Sequence, residues 1–380
     1  MSKTKSKASN PAPATATRSK PRTKAKAGKN LSNSKKASSK SESKTKSKAS
    51  ARAKSAGSRK SAPATKSAAA ITSQATRRST DKLPAFLGLS AKYTQAAGAR
   101  VHILPVPYEE TTTYGKGTAD GPRALLEASQ EVELFDDELW TESYKIGIHT
   151  SDAIVMDKVE ANTAKPFQAL YEAVKPLVET DRFPLIIGGE HSITLGAIRA
   201  FAERYKDLSI LQIDAHCDLR PSYDGNPYSH ASVGYRLYET LQKPMITQVG
   251  IRNVSKQEAH WMETERPKIN IFWARMQDKW NFQEIVNTLS NNVYITIDVD
   301  ALDSSVMPST GTPEPGGISW YQLMELIKNV CVRKNVVGAD IVELAPIPGL
   351  HAPDFLAAKL AYKLIGYRFA LDLGVTKKYV

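Results

Sequence analysis

The positive charge of this 380-residue chain is concentrated at one end. Residues 1–80 contain 22 lysines and arginines and one acidic residue, whereas the whole chain carries only +13, which leaves −8 on residues 81–380. The isoelectric point of about 9.4 therefore gives no reason to expect a basic active site. The sequence shows neither a signal peptide nor an apolar run long enough to span a membrane, and its two cysteines offer no disulfide framework. These features predict a soluble, cytoplasmic protein without a membrane partner.

Residues 1–80 are built mainly from Lys, Ser, Ala, Thr and Pro and have almost no large apolar side chains. Such a segment cannot offset the entropy lost on ordering, so we predict a disordered basic tail followed by one catalytic domain, residues 81–380. A flexible cation attracts polyanions, nucleic acid above all, independently of their sequence. The alternative is a solubilising tether that has no specific partner.

Eight candidate strands alternate with helical patterns in residues 81–380. They are 101–106, 145–149, 184–188, 208–213, 245–250, 269–273, 293–299 and 336–342. The clearest helices are Arg123–Glu133, Pro166–Thr180, Thr194–Tyr205, Trp320–Val332 and Asp354–Phe369. Several strands are continuous β-branched runs, which is typical of strands covered on both faces. The alternation predicts an α/β fold in which a mainly parallel sheet is sandwiched between helices.

Polar side chains follow four of these strands, where ligands bind in open parallel sheets. They are His191, the cluster Asp214, His216 and Asp218, the pair Asp298 and Asp300, and Glu343. Alternate residues of an extended chain share a face, so the two aspartates and the histidine of the cluster are expected to point together, with Cys217 packed on the other side. An isolated D-x-H-x-D segment can equally be a loop whose charges face water. Four strand ends meeting at one rim favour a metal site.

The donor set matches two metal ions better than one. Two imidazoles and four carboxylates exceed the needs of a tetrahedral zinc site, and the oxygen-rich mixture favours two Mn²⁺ ions, although another divalent metal remains open. Four carboxylates balance the charge of two divalent cations, and a bridging water can then become hydroxide at neutral pH. The remaining acid, Glu343, suits a cationic substrate.

Three segments resemble the signatures of the ureohydrolase (arginase/agmatinase) family. They are Gly188-Gly189-Glu190-His191-Ser192, Asp214-Ala215-His216-Cys217-Asp218-Leu219, and Ile297-Asp298-Val299-Asp300-Ala301-Leu302-Asp303 with its continuation Thr310-Gly311-Thr312-Pro313-Glu314-Pro315-Gly316-Gly317. The resemblance runs from about Phe86 to the C-terminus. It implies the arginase-type three-layer α/β/α fold with an eight-stranded sheet, a binuclear manganese centre, hydrolysis of a guanidino compound, and a homo-oligomer, either a trimer or a hexamer.

The resemblance also implies roles for individual residues. The first metal ion would be held by His191, Asp214, Asp218 and Asp298, and the second by His216, Asp214, Asp298 and Asp300. His230 matches the family's proton-shuttling histidine, and Glu343 matches the acid that pairs with the substrate guanidinium. The loop Glu109–Thr118 is expected near the mouth of the site. Ser304 stands where the family usually has Pro, which affects local loop geometry.

Within the family the sequence favours agmatine as substrate, with putrescine, a polyamine precursor, and urea as products. Arginases typically continue the second motif with Ile-Asn, whereas Leu219-Arg220 follows here, and Glu190 stands where arginases usually carry Asp. Arginine, guanidinobutyrate and other guanidino compounds remain alternatives. A deacetylase-type enzyme with one zinc ion is a rival that would leave His191 and Asp300 without a purpose.

Overall fold

A computed structural model describes residues 82–156, 167–241, 245–376 and 378. The predicted disordered tail, residues 1–80, lies outside the described residues, and so does the predicted start of one helix at Pro166. Among the described residues, no helix has the length and apolar character needed to cross a membrane.

The predicted strands form one sheet of eight parallel strands. Their spatial order is β2-β1-β3-β8-β7-β4-β5-β6. The bounds are β1 (Val101–Val106), β2 (Ile148–Thr150), β3 (Phe183–Gly188), β4 (Ser209–Ile213), β5 (Ile246–Ile251), β6 (Ile269–Trp273), β7 (Asn292–Asp298) and β8 (Asn335–Val342). The prediction of a mainly parallel eight-stranded sheet is therefore confirmed.

The second strand is shorter than predicted. Residues Ser143–Ile146 form a turn of 3₁₀ helix, and Gly147 follows it with a φ of 85°. Glycine adopts this left-handed region without steric cost. The chain turns there, and only Ile148–Thr150 pairs with β1.

The described residues contain nine α-helices. They are α1 (Ala91–Thr94), α2 (Gly121–Ala128), α3 (Gln168–Glu179), α4 (Thr194–Arg204), α5 (Val233–Thr240), α6 (Lys256–Glu265), α7 (Phe282–Asn287), α8 (Trp320–Arg333) and α9 (His351–Phe369). Serine caps begin α6 and α8: the Ser255 side chain accepts from the Glu258 N–H, and the Ser319 side chain accepts from the Gln322 N–H. In both caps the side chain three residues later, Glu258 or Gln322, accepts a hydrogen bond from the serine N–H, which completes a capping box.

Helices cover both faces of the sheet. Leu185 and Ile187 of β3 belong to a core cluster that includes residues of α2, α8 and α9, whereas Ile186 belongs to a cluster with residues of α3, α4 and α5. Because successive strand residues point to opposite faces, this division shows a three-layer α/β/α arrangement. Helices on both sides of the sheet therefore explain why the predicted strands have apolar residues on both faces.

Candidate metal centre

The candidate site lies at the carboxyl ends of the four central strands. These strands are β3, β8, β7 and β4, which are adjacent in the sheet. Because they are parallel, the residues that follow them meet at one edge. The structure thus brings together the residues predicted from the sequence: His191, Asp214, His216, Asp218, Asp298, Asp300 and Glu343.

The first donor group is centred on the buried His191. Its Nδ1 atom lies 3.2 Å from an oxygen of Asp214, 3.2 Å from one of Asp218 and 3.5 Å from one of Asp298. The donor atoms of His191, Asp214 and Asp298 lie within 4.8 Å of one another. One imidazole nitrogen therefore lies within 3.5 Å of three carboxylate oxygens.

The second donor group shares Asp214 with the first. His216 Nδ1 lies 2.9 Å from Asp300 Oδ2 and 3.7 Å from Asp214 Oδ1, whereas His191 is near the other oxygen, Oδ2, of Asp214. The two oxygens of Asp214 therefore face different histidines. This is the geometry that a carboxylate needs in order to bridge two metal ions.

The backbone brings these side chains together differently from the expected extended strand. β4 ends at Ile213, before the cluster begins, and Asp218 has a left-handed φ of 51°. Asp300 belongs to the 3₁₀ turn Val299–Ala301, and its N–H donates to Asp298 Oδ1 at 2.9 Å. The expected alternation along a strand is thus wrong for Asp214, His216 and Asp218 and for Asp300, which lie beyond the strands, whereas Asp298 is the last residue of β7. Cys217 is fully buried beside Leu219, as predicted.

The hydrogen bonds around His191 leave one of its nitrogens without a protein partner. His191 Nε2 lies 2.8 Å from Thr296 Oγ1, and that hydroxyl donates to Asp340 Oδ1 at 2.6 Å. Since the hydroxyl proton is used, Thr296 accepts from Nε2–H. The buried Nδ1 atom then carries the lone pair and has no hydrogen-bond partner of suitable geometry among the described residues. A lone pair aimed between three carboxylates is suited to a metal cation.

The charges at the site also require a cation. Burial and the neighbouring Asp214 raise the pKa of Asp218 to about 7, and burial with the charge of Asp300 raises the pKa of Asp298. Burial opposes protonation of His191, but Asp214, Asp218 and Asp298 outweigh it and raise its pKa. These shifts describe the site without a cation: carboxylates that retain protons and imidazoles that gain them at Nδ1 indicate a surplus of buried negative charge. The residues present therefore fit a pair of divalent metal ions.

Glu343 lies against the first donor group. It follows β8 with a left-handed φ of 65°, and its Oε1 accepts from the His191 N–H at 2.7 Å. Burial and the adjacent Glu190 raise the pKa of Glu343 to about 8. The acid lines the same pocket as both donor groups, where a cationic ligand would restore its ionised form.

His230 lies across this pocket on the 3₁₀ turn His230–Ser232. Burial and the positive charges of His191, His216 and Lys116 hold its pKa at about 4. The imidazole is therefore neutral near pH 7, so one of its two ring nitrogens carries a lone pair. The structure places His230, as the sequence suggested, beside the pocket and outside the two donor groups.

The pocket mouth is formed by loops. The segment Thr112–Gly115 of the predicted loop lines the pocket beside Thr310–Thr312, and the Gly115 N–H donates to the Gly311 carbonyl at 3.0 Å; Arg220, Tyr223 and Asn253 also line the pocket. Asp303 fixes the second of these loops, since its carboxylate accepts from the N–H groups of Ser305, Gly316 and Gly317 at 2.9–3.1 Å. Ser304 therefore lies in a turn that its neighbour Asp303 holds by hydrogen bonds.

Three residues that support the site were not predicted from the sequence. Thr296 and Asp340 lie inside strands β7 and β8, and Arg252 donates to six backbone carbonyls, including those of Asp300 and Glu314. The signal available for the first two was a polar residue in an otherwise apolar, fully buried strand. Arg252 offered no comparable signal.

The fold and the two adjoining donor groups define a class: α/β enzymes with a candidate binuclear metal centre at the edge of a parallel sheet. Comparisons with known proteins agree with this class. Residues 99–366 match the family model described as the arginase family. The sequence is 38% identical over 285 residues to the N(1)-aminopropylagmatine ureohydrolase of Synechocystis, covering 73% of this chain and 92% of that protein.

Two further relatives are informative. The agmatinase of Bacillus cereus is 32% identical over 251 residues, covering 66% of this chain and 84% of that protein. The crystal structure of the agmatine ureohydrolase of Thermoplasma volcanium superimposes with a TM-score of 0.68 at 28% identity, covering 78% of this chain and 98% of that one. The chain therefore belongs to the arginase family and is an agmatinase-type hydrolase, and its fold is the arginase-like fold.

Proposed function

We propose that this enzyme hydrolyses the guanidinium group of agmatine, or of agmatine extended by an N(1)-aminopropyl group, to urea and a polyamine. The observation that carries the proposal is the position of Glu343, a buried acid in the same pocket as two histidine–carboxylate groups. A forked guanidinium matches a carboxylate in charge and geometry. Its planar carbon would thereby be held close to the donor groups.

The metal assignments are those that the family resemblance implies, and the geometry of the two donor groups supports them in part. The first ion would be held by His191, Asp214, Asp218 and Asp298, and the second by His216, Asp214, Asp298 and Asp300. Asp214 is supported as a bridge by its two oxygens, which face different histidines. The oxygen-rich set favours Mn²⁺. When bound, the two ions would supply Lewis-acid activation of the attacking water.

The protein side chains would orient the substrate and move one proton. Glu343 would bind the guanidinium and present one face of its carbon to water. As the new C–O bond forms, His230 would accept a proton from the water and then deliver it to the nitrogen of the departing alkylamine. The C–N bond to that amine breaks, and urea and the amine leave as separate products.

The choice of substrate is supported by the relatives. The N(1)-aminopropylagmatine ureohydrolases of Synechocystis and Thermus thermophilus are each 38% identical to this chain, against 32% for the agmatinase of Bacillus cereus. Both named substrates carry an amine and no carboxylate. Arg220, whose guanidinium packs on the ring of Tyr223, is the one Arg or Lys among the described lining residues.

Urea release tests the proposal directly. Mn²⁺-loaded protein is expected to release urea from agmatine or N(1)-aminopropylagmatine with a higher kcat/KM than from arginine or guanidinobutyrate, which carry carboxylates. A preference for guanidinobutyrate would instead assign Arg220 to carboxylate binding and overturn the substrate proposal. Absence of urea from all four compounds would overturn the reaction.

Two variants test the assigned roles. Asp298→Ala should abolish both turnover and metal binding, because it removes a ligand from both ions. His230→Ala should lower kcat while both metal ions stay bound, and loss of metal would remove its assigned role. Metal analysis that finds one zinc ion per chain would favour the deacetylase-type rival.

The predictions for the tail and the assembly stay open to experiment. Residues 1–80 would tether the acidic body to polyanions by counterion release, so DNA binding should weaken steeply with salt and require the tail. Equal binding by full-length protein and by a chain starting at Asp81 would contradict this. A trimer or hexamer is checked by analytical ultracentrifugation, and the cytoplasmic prediction by cell fractionation.

A further inference from the structure

His230 is held by a threonine from a distant part of the chain. Thr111 lies on the loop between β1 and α2, 119 residues from His230. Its Oγ1 atom lies 3.0 Å from His230 Nδ1 and accepts from the His230 backbone N–H at 3.0 Å. The same hydroxyl thus contacts both the ring and the backbone of this histidine.

Thr111 is in turn fixed by Glu190, which is fully buried. Oε1 of Glu190 accepts from Thr111 Oγ1 at 2.7 Å and from the Ser192 hydroxyl, and Oε2 accepts from the N–H groups of Glu110 and Thr111 at 2.6 Å each. Four donors surround this carboxylate. Gly189 makes the approach possible, because a Cβ atom there would lie 2.0 Å from the Tyr108 carbonyl oxygen.

The directions of the hydrogen bonds that join Glu190, Thr111 and His230 follow from counting the available protons. A hydroxyl has one proton to donate, and Thr111 donates it to Glu190. Its oxygen can therefore only accept from His230, which requires the proton of the neutral imidazole to lie on Nδ1. The other hydroxyl near Nδ1, that of Ser229, lies 3.3 Å away and accepts from the Ala231 N–H while keeping its own proton, so the shorter 3.0 Å contact with Thr111 carries the assignment.

We propose that Glu190 and Thr111 are positioning residues that hold His230 in its Nδ1-protonated tautomer and leave the lone pair of Nε2 free to accept a proton. This inference rests on the proposed role of His230 in proton transfer. The length of the Glu190 side chain is necessary for this hydrogen-bonded arrangement. An Asp at this position would be one C–C bond, about 1.5 Å, shorter and would fail to reach Thr111.

Removal of the Thr111 hydroxyl provides the first test. Thr111→Val keeps the shape of the side chain, and Thr111→Ser keeps its hydroxyl. In Thr111→Val we expect kcat to fall on the order of tenfold or more, with KM and metal content retained. The reason is that the His230 imidazole would lose its fixed orientation while remaining in the pocket. Thr111→Ser should recover most of the lost kcat.

Thr118→Val is the matched control. Thr118 lies on the same loop, is fully buried, and its Oγ1 has no hydrogen-bond partner among the described residues. Its substitution should leave kcat unchanged. An equal loss of kcat in Thr118→Val and Thr111→Val would mean that loop packing, and not the hydroxyl, matters, which would overturn the proposal.

The tautomer itself can be observed. The chain has seven histidines, so ¹⁵N-histidine NMR spectra of full-length, Zn²⁺-loaded protein are sparse, and His230→Gln identifies the resonances of His230. Wild-type protein should show a protonated Nδ1 and an unprotonated Nε2. A wild-type spectrum with the proton on Nε2 would overturn the proposal even if the enzyme releases no urea.

Glu190→Gln tests the inferred direction of the hydrogen bonds from Glu190 through Thr111 to His230. The N–H groups of Glu110 and Thr111 would keep the amide oxygen in the place of Oε2, so the amide NH₂ would face Thr111. The Thr111 hydroxyl would then accept from Gln and donate to His230, which moves the imidazole proton to Nε2. An unchanged tautomer in a folded Glu190→Gln protein would contradict the inferred chain of donors.

Discussion

His191 and Thr296 form the hydrogen bond that orients the first donor group: the Nε2 atom of His191 lies 2.8 Å from the Oγ1 atom of Thr296. Behind Thr296, the buried carboxylate of Asp340 accepts from the hydroxyls of Thr194, Tyr294 and Thr296 at 2.6–2.9 Å. A carboxylate that polarises a histidine through a hydroxyl makes the opposite nitrogen more basic. This arrangement would prepare Nδ1 of His191 to bind a metal ion.

Thr296→Val is therefore expected to weaken metal binding about 10- to 100-fold, the range typical of lost partners behind a metal ligand. Equilibrium dialysis against Mn²⁺ measures the change. Thr247→Val is the matched control, because Thr247 is equally buried in the same sheet but bonds to Thr288. Equal metal affinity in both variants would refute a role of Thr296 in orienting His191.

Glu343→Gln should raise KM for agmatine and lower kcat/KM roughly tenfold or more, since a charged pair with the guanidinium is lost. Metal content should be retained, because Glu343 belongs to neither donor group. Steady-state urea release and metal analysis provide the two readouts. Glu314→Gln, at an acid that accepts from Asn253, is the control for a general loss of negative charge. The same KM in wild type and Glu343→Gln would contradict the assignment.

Arg252→Lys should destabilise the segment that carries Asp300. The planar guanidinium of Arg252 donates to six carbonyl oxygens, and a lysine, with three donors on one nitrogen, cannot reach all of them. We expect a loss of about 1–3 kcal/mol in the free energy of unfolding, measured with urea in the presence of a chelator. Arg333→Lys, at the exposed end of α8, should change it by less than about 0.5 kcal/mol.

Asp303 should make the stability of the pocket loop depend on pH. Hydrogen bonds from Ser305, and then from the N–H groups of Gly316 and Gly317, lower its pKa to about 2. Because the folded pKa lies below the unfolded value of about 3.9, this stabilisation is present above about pH 4 and disappears as the pH falls toward 2. Asp303→Asn should lower the Tm at pH 6 in the presence of chelator.

The Tm difference between wild type and Asp303→Asn should then shrink on acidification toward about pH 3. A difference that is the same at pH 6 and pH 3 would show that the carboxylate charge does not stabilise the loop.

The inner strands β1, β3, β4, β5, β7 and β8 were predictable because they are buried on both faces, which gives them runs rich in apolar residues. The helix α6 (Lys256–Glu265) was not predicted, since its sequence Lys-Gln-Glu-Ala-His-Trp-Met-Glu-Thr-Glu has one buried residue, Glu258, and no apolar face with helical spacing. Its serine cap at Ser255 was the available signal. The pattern thus missed a helix whose contact with the core consists of the partly buried Trp261 and Met262.

The candidate site was predictable in composition but not in geometry. His191 and Asp214 follow strands in the sequence and Asp298 lies at the end of one, and the parallel sheet brings them together. The Glu190–Thr111 pair, by contrast, joins residues 79 positions apart through a side-chain contact, which no local pattern encodes. The left-handed turn at Asp218 was equally hidden, since the residue type does not specify it.

Asp218 and Glu343 occupy left-handed backbone conformations, with φ angles of 51° and 65°, that cost a non-glycine residue about 1 kcal/mol or more. The fold thus retains acids at two positions where the backbone alone would favour glycine. Asp218→Gly and Glu343→Gly should consequently melt at the same or a higher temperature than the corresponding alanine variants while losing activity. Selection of this chain for thermal stability alone would therefore favour loss of the acid at these two positions of the candidate site, where stability and activity are opposed.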